Sequence, residues 1–187
     1  MIAINEKIPD FEFEVFHKNN ITKVKLSSFK GKWLILLFYP ADFTFVCPTE
    51  LVEAANNYKE FKKNGAEIIS ISTDTAFVHK AWHDNSPTIK QVSYPMAADP
   101  TGNICKAFGT YIKEEGLSLR ATFIIDPKGI VKAVEMHDNS IGRNIKETLR
   151  KFLAAKYVSE HKYEVCPASW VPKKKTLKPG VKLIGKI

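Results

Sequence analysis

An α/β fold, with a central mixed sheet flanked by helices and an extended C-terminal tail, is what this sequence predicts, and three observations carry the prediction. Two continuous apolar runs, Trp33 to Tyr39 and Ala66 to Ser72, have the composition of strands covered on both faces. Stretches of helical spacing lie between and after them. Beyond Ser159 the pattern dissolves into prolines and clustered lysines. At 187 residues and 44% hydrophobic content the chain suits one packed domain, expected over residues 1–160, with the tail over 161–187.

Taken in order, the first ten residues alternate apolar with polar positions and lack the basic start and long apolar run of an export signal. Trp33 to Tyr39, ended by Pro40, is the longest apolar run, far short of the roughly 20 residues that span a membrane. Pro48 to Asn64 carries Leu51, Val52, Ala55, Tyr58 and Phe61 at helical spacing, with Pro48 suited to a first helical position and Gly65 to the stop. Ala66 to Ser72 is the next strand. Asp74 or Thr75 can cap a second helix bearing Phe77, Ala81 and Trp82 on one side, and Thr101 to Phe108 reads as a short helix closed by Gly109. Arg120 to Ile125 and Ile130 to Met136 flank Asp126-Pro-Lys-Gly129, which predicts a hairpin. Gly142 to Val158, with Ile145, Leu149, Phe152 and Leu153, is a last helix expected to pack on the sheet. This order is that of a thioredoxin-like fold, in which chemistry sits at the N-terminus of the first helix, where Cys47 stands.

The net charge of +8 belongs mostly to the tail: residues 162–187 hold seven lysines against one acid, Glu164. Without arginine forks or a set of stacking aromatics, this lysine stretch lacks the parts of a nucleic-acid site, and no membrane partner is expected. It suits a solvated surface or the steering of an acidic partner. Three widely spaced cysteines, Cys47, Cys105 and Cys166, argue for reactive or buried thiols in a reducing, cytoplasmic setting. Cys105, between Ile104 and Lys106, is expected to be structural. His79 and His83 are spaced as a helical metal pair would be, but further ligands are missing and surface histidines are expected; no metal or cofactor is implied.

A thioredoxin-type centre carries a second cysteine three residues after the first, whereas this chain reads Cys47-Pro-Thr-Glu50. A redox partner for Cys47 must therefore come from far along the chain or from another chain. The unpaired N–H groups and dipole of a helix start favour a negative sulfur there. A lone cysteine at a helix start is more often a small buried hydrophobe, but here Pro40, Thr44 and Cys47 together make the pattern PxxxTxxC.

With that pattern, and with Phe38 to Glu50, Ser72-Thr-Asp74, Arg120 to Asp126, Gly142-Arg143 and Glu164-Val-Cys-Pro-Ala168, the sequence resembles the peroxiredoxins of the typical two-cysteine group over almost its whole length. The resemblance implies a peroxidase needing no cofactor, acting on hydrogen peroxide and small organic hydroperoxides. Cys47 would be the attacking thiolate, oxidised to a sulfenic acid, and Cys166 the resolving cysteine, reaching the partner subunit of a homodimer. Thr44 would bind peroxide and orient the thiolate, Pro40 would shield the pocket, and Arg120 would stabilise charge as the O–O bond breaks. Glu50 and Arg143 would position Arg120.

The electron donor implied is a thioredoxin or a flavoprotein disulfide reductase. The family also commonly forms a decameric ring of five dimers, for which Phe43, Phe77 and Val78 are contact candidates. Glu114 to Leu117 departs from the family's GGLG loop, and a tail helix carrying Tyr-Phe is missing, which implies resistance to overoxidation. A disulfide oxidoreductase and an oligomeric holdase are the competing functions.

Overall fold

Glu12–His17 (β1) alternates polar residues with the buried Phe13 and Val15, as a half-covered strand should, and turns back into Asn20–Lys25 (β2). The two pair antiparallel from Glu12 opposite Lys25 to His17 opposite Asn20. Lys18 and Asn19 between them both take positive φ, 50° and 62°, the twist-matched geometry of a tight hairpin. The computed structural model describes residues 2–186, and this hairpin, like the short strands Met96–Ala98, Tyr111–Ile112 and Leu117–Ser118, has no counterpart among the sequence expectations.

Trp33–Phe38 (β3) and Ala66–Ser72 (β4) are buried at every position and run parallel, with Trp33 opposite Ala66. Between them Cys47–Lys63 (α1) packs against β4. Its backbone ends at Gly65, whose φ of +84° only glycine adopts without strain. Thr75, rather than Asp74, caps Ala76–Asn85 (α2), its Oγ1 accepting from the Val78 amide. Met96–Ala98 (β5) lies parallel to β4 and antiparallel to β1. Asn103–Phe108 (α3) closes at Gly109 as expected, and Tyr111–Ile112 (β6) with Leu117–Ser118 (β7) forms a small separate ribbon.

The hairpin Arg120–Ile125 (β8) and Val131–His137 (β9) joins the sheet through β8, antiparallel to β3. Asp126 fixes its turn, Oδ1 accepting from the amides of Lys128 and Ile130. The sheet has seven strands in the order β2-β1-β5-β4-β3-β8-β9 and is mixed, with β3 at the meeting of its parallel and antiparallel parts. On one face Phe38, Phe108 and Phe123 pack with ring centroids 4.8–5.6 Å apart among Leu36, Ile69 and Ile71. Each such side chain stabilises the fold by about 1.5–3 kcal/mol relative to exposure.

The described residues up to 145 and from 146 onward form two compact units. The second is built on Ile145–Glu160 (α4) and the tail that follows. Val165 and Leu177 bridge the tail's two arms with N–H···O distances of 2.9 and 3.0 Å. Arg150 donates to the Trp170 carbonyl at 2.9 Å, and the Trp170 indole lies 4.9 Å from the Tyr157 ring. These ties are one isolated backbone bridge and a few single side-chain contacts rather than a repeating pattern, so sequence periodicity had nothing to register. No helix among the described residues is long and apolar enough to cross a membrane.

Candidate active site

Cys47 is the first residue of α1, fully buried, and Val46 before it offers no side-chain cap. Pro48 has no N–H to lose in this first turn, so the local sequence leaves the helix start open to a ligand instead of capping it. Across the sheet, Arg120 begins β8, the strand paired with β3. Because β3 leads into the Cys47 loop, that antiparallel pairing brings Arg120 to the same end. Its Nη1 donates to Cys47 Sγ at 3.3 Å and to Glu50 Oε2 at 2.7 Å, and its Nε donates to the Asn139 carbonyl at 2.9 Å.

Glu50 stands one helical turn after Cys47 and joins both arginines. Arg143 donates from its amide and Nε to Glu50 Oε1 at 2.8 and 2.9 Å, from Nη2 to Oε2 at 2.9 Å, and from Nη1 to the Ala121 carbonyl at 2.9 Å. Burial alone would raise the Glu50 carboxyl. The Arg143 bonds and charge, with the Arg120 charge, outweigh it and hold the group below its ordinary value. The result is a buried Arg–Glu–Arg chain whose free cationic end points at sulfur.

The loop between β3 and α1 supplies the other expected residues. Pro40 is buried, and Thr44 is half-buried with Oγ1 donating to the Ala41 carbonyl at 2.9 Å, which leaves its lone pairs free. Phe43 sits at φ +55°, a left-handed conformation costing on the order of 1–3 kcal/mol for a bulky residue. The structure thus brings Pro40, Thr44, Cys47, Glu50, Arg120 and Arg143 to one end of the sheet.

A family model described as the AhpC/TSA family matches residues 4–134. The chain belongs to that family. Alkyl hydroperoxide reductase C of Pseudomonas aeruginosa is 49% identical over 187 residues, covering all of both chains, and that of Escherichia coli is 46% identical over the same span. Among solved structures, Enterococcus faecalis AhpC superposes with a TM-score of 0.87 at 44% identity, over 89% of this chain and 100% of that one. The reduced 2-Cys peroxiredoxin of Plasmodium vivax gives 0.91 at 30%, over 96% and 94%. This peroxiredoxin is accordingly an enzyme of thiol-dependent peroxide reduction with an antioxidant function.

Cys166 of this peroxiredoxin lies in the second unit, half-buried, with Sγ 4.0 Å from the Ala154 carbonyl. Burial, with the Glu164 charge, pushes its thiol up despite Arg150. Cys105 is fully buried, and burial together with Asp99 pushes its thiol up to about 12, which suits an inert core residue.

The expected surface histidines are placed differently. His79 is wholly buried and His83 largely so, whereas Phe77, expected to pack on the same side as Trp82, is 70% exposed. Turning α2 so that Ala76, His79 and Trp82 face inward satisfies the 3.6-residue period equally well. What selects that face is a buried partner for His79, the carboxylate of Asp42. The pairing of Asp42 with His79 was not foreseen from the sequence, which offered His79 only as a surface histidine spaced with His83, because the pair spans 37 residues and carries no local spacing signal.

Proposed function

We propose that this enzyme reduces hydrogen peroxide and small organic hydroperoxides at Cys47 and completes its cycle through Cys166 of a partner subunit. The observation that carries the reading is the Arg120 guanidinium, 3.3 Å from the Cys47 sulfur and fixed from behind by Glu50 and Arg143. A fixed cation at that place stabilises the negative charge that develops on the peroxide oxygens as the sulfur attacks. Thr44, its proton committed to Ala41, accepts a hydrogen bond from the peroxide O–H and aims the O–O bond at sulfur. Pro40 walls the site from water.

The Cys47 thiolate attacks the nearer oxygen, the O–O bond breaks, and the departing alkoxide or hydroxide takes a proton and leaves as alcohol or water. Cys47 is then a sulfenic acid. The Cys166 thiol of the partner attacks that sulfur, water is expelled, and an intersubunit disulfide forms. A dithiol reductant, thioredoxin or a flavoprotein disulfide reductase, reopens it by exchange. The reading includes a homodimer as the working unit, a decameric ring using the exposed Phe43 and Phe77 with the half-buried Val78, and a cytoplasmic setting that keeps the thiols reduced.

Stopped-flow peroxide consumption and non-reducing gels test this reading. Cys47→Ser abolishes consumption, and Cys166→Ser permits one turnover but no disulfide-linked dimer. Rapid consumption that survives Cys47→Ser, or a Cys47-dependent dimer that survives Cys166→Ser, overturns it.

A further inference from the structure

Beneath the loop that carries Thr44 and Cys47 lies a polar cluster with no part in the scheme above. The side chains of Asp42 and His79 are both wholly shielded from solvent. Asp42 Oδ1 accepts from Tyr39 Oη at 2.6 Å, and its Oδ2 lies 2.7 Å from His79 Nδ1. The other ring nitrogen, Nε2, is 3.1 Å from the Ala97 carbonyl on β5. Both nitrogens of His79 thus lie within hydrogen-bond distance of oxygens on other elements, and the ring ties α2, β5 and the loop together. The Asp42 amide donates to Asp74 Oδ2 at 2.9 Å, and Ser72 Oγ holds that same oxygen at 2.8 Å.

We propose that Asp42 and His79 form a positioning pair that latches the Cys47 loop in its peroxide-binding conformation, and that this latch must open for Cys47 to meet the resolving thiol. The inference rests on the function proposed above and adds to it the device that sets the balance between its two steps.

Three observations support it. Among the described residues, Asp42 makes every hydrogen bond that ties residues 40–46 to elements beyond β3, the loop and α1. Thr44 bonds only within the loop, and Phe45 is 92% exposed. Second, the loop carries backbone strain beside the tie, since Phe43 next to Asp42 takes φ +55°. Third, a buried carboxylate and imidazole are costly to keep in a core unless geometry is specified in return, and here the geometry specified is that of the loop two residues before Thr44. The same pair also places α2, so Phe43 reaches Trp82 at a centroid distance of 5.9 Å.

The test separates the two half-reactions by stopped-flow fluorescence in the full-length protein. Asp42→Asn and His79→Leu are expected to slow the reaction of reduced enzyme with peroxide by about tenfold or more, the worth of one charge-assisted hydrogen bond. The same variants should speed disulfide formation from the sulfenic acid and lower the fraction of sulfinylated Cys47 found by mass spectrometry. His79→Gln, which keeps an N–H towards Asp42, should fall between wild type and His79→Leu. Tyr39→Phe removes one donor without changing shape and gives a smaller shift in the same directions if the harsher variants fail to fold.

Opposite changes in the two rates support the latch; two rates that fall together, or neither moving, overturn it. If wild type itself consumes no peroxide, or does so without Cys47, the failure lies in the parent reading. If wild type behaves as proposed and only the variants show no opposed shift, the latch alone is wrong.

Discussion

Glu50→Gln removes one charge and no volume from the centre of the Arg–Glu–Arg chain. The carboxylate takes four hydrogen bonds, two on each oxygen: from the Arg143 amide and Nε on Oε1, and from Arg143 Nη2 and Arg120 Nη1 on Oε2. Glutamine keeps one oxygen and turns an NH₂ group towards the other pair of donors. Two N–H groups, at least one of them guanidinium, then face a donor in a site where the Arg120 and Arg143 side chains are only 4% and 0% exposed. Removing one partner of a buried charged network costs about 3–5 kcal/mol, because the remaining charge stays desolvated. Arg120 keeps its bond to Asn139 but loses the partner that aims Nη1, and a shift of about 1 Å at a reacting centre can cost about 100-fold in rate.

The sign of the pH dependence follows from the depressed carboxyl. A group whose pKa is lower folded than unfolded adds stability in full above its unfolded value and loses it as pH falls through the folded one. Guanidinium chloride unfolding should therefore show the largest gap between wild type and Glu50→Gln near neutral pH, shrinking below the ordinary carboxyl value of 4.5. A gap under about 1 kcal/mol at pH 7, or one indifferent to acid, refutes the reasoning.

Two further outcomes are expected elsewhere. Gly102→Ala places a Cβ 2.5 Å from Tyr111 Cε2 on a backbone with φ +66°, so thermal melting should show a loss of about 1–3 kcal/mol. Gly180→Ala, on extended backbone with open space around it, should stay within about 0.5 kcal/mol. Glu114 to Leu117 runs from the tight β6–β7 turn into β7 and contains no helix, so we expect Cys47 to resist sulfinic acid formation. Its mass during turnover at rising peroxide checks this, and rapid sulfinylation at low doses contradicts it.

Strands β3 and β4 were legible because burial on both faces leaves an uninterrupted apolar signature, and α1 because proline and glycine mark its two ends. The β1–β2 hairpin went unread although Phe13 and Val15 alternate with acids, since its Lys18-Asn19 turn lacks the glycine that usually announces one. On α2, periodicity fixed the existence of a buried face but not which one. Ala76, His79 and Trp82 form one stripe and Phe77 with Ala81 another, and only the neighbours at Asp42 and Ala97 decide between them.

The sequence by itself determined that Cys47 opens a helix after a buried strand, and that Pro40, Thr44, Arg120, Glu50, Arg143 and Cys166 are the residues to examine with it. Those conclusions rest on spacing along the chain and on resemblance. Tertiary structure decided the direction of the charges: that Arg120 Nη1 is shared between sulfur and Glu50, and that Glu50 grips Arg143 by three hydrogen bonds. It also decided that Asp42 meets His79, a histidine the sequence placed on the surface, beneath the reactive loop. The physical reason is the same throughout. Hydrogen bonds and charge pairs act over about 3 Å in space, while the residues that make them stand tens of positions apart, where no periodicity can bring them into view.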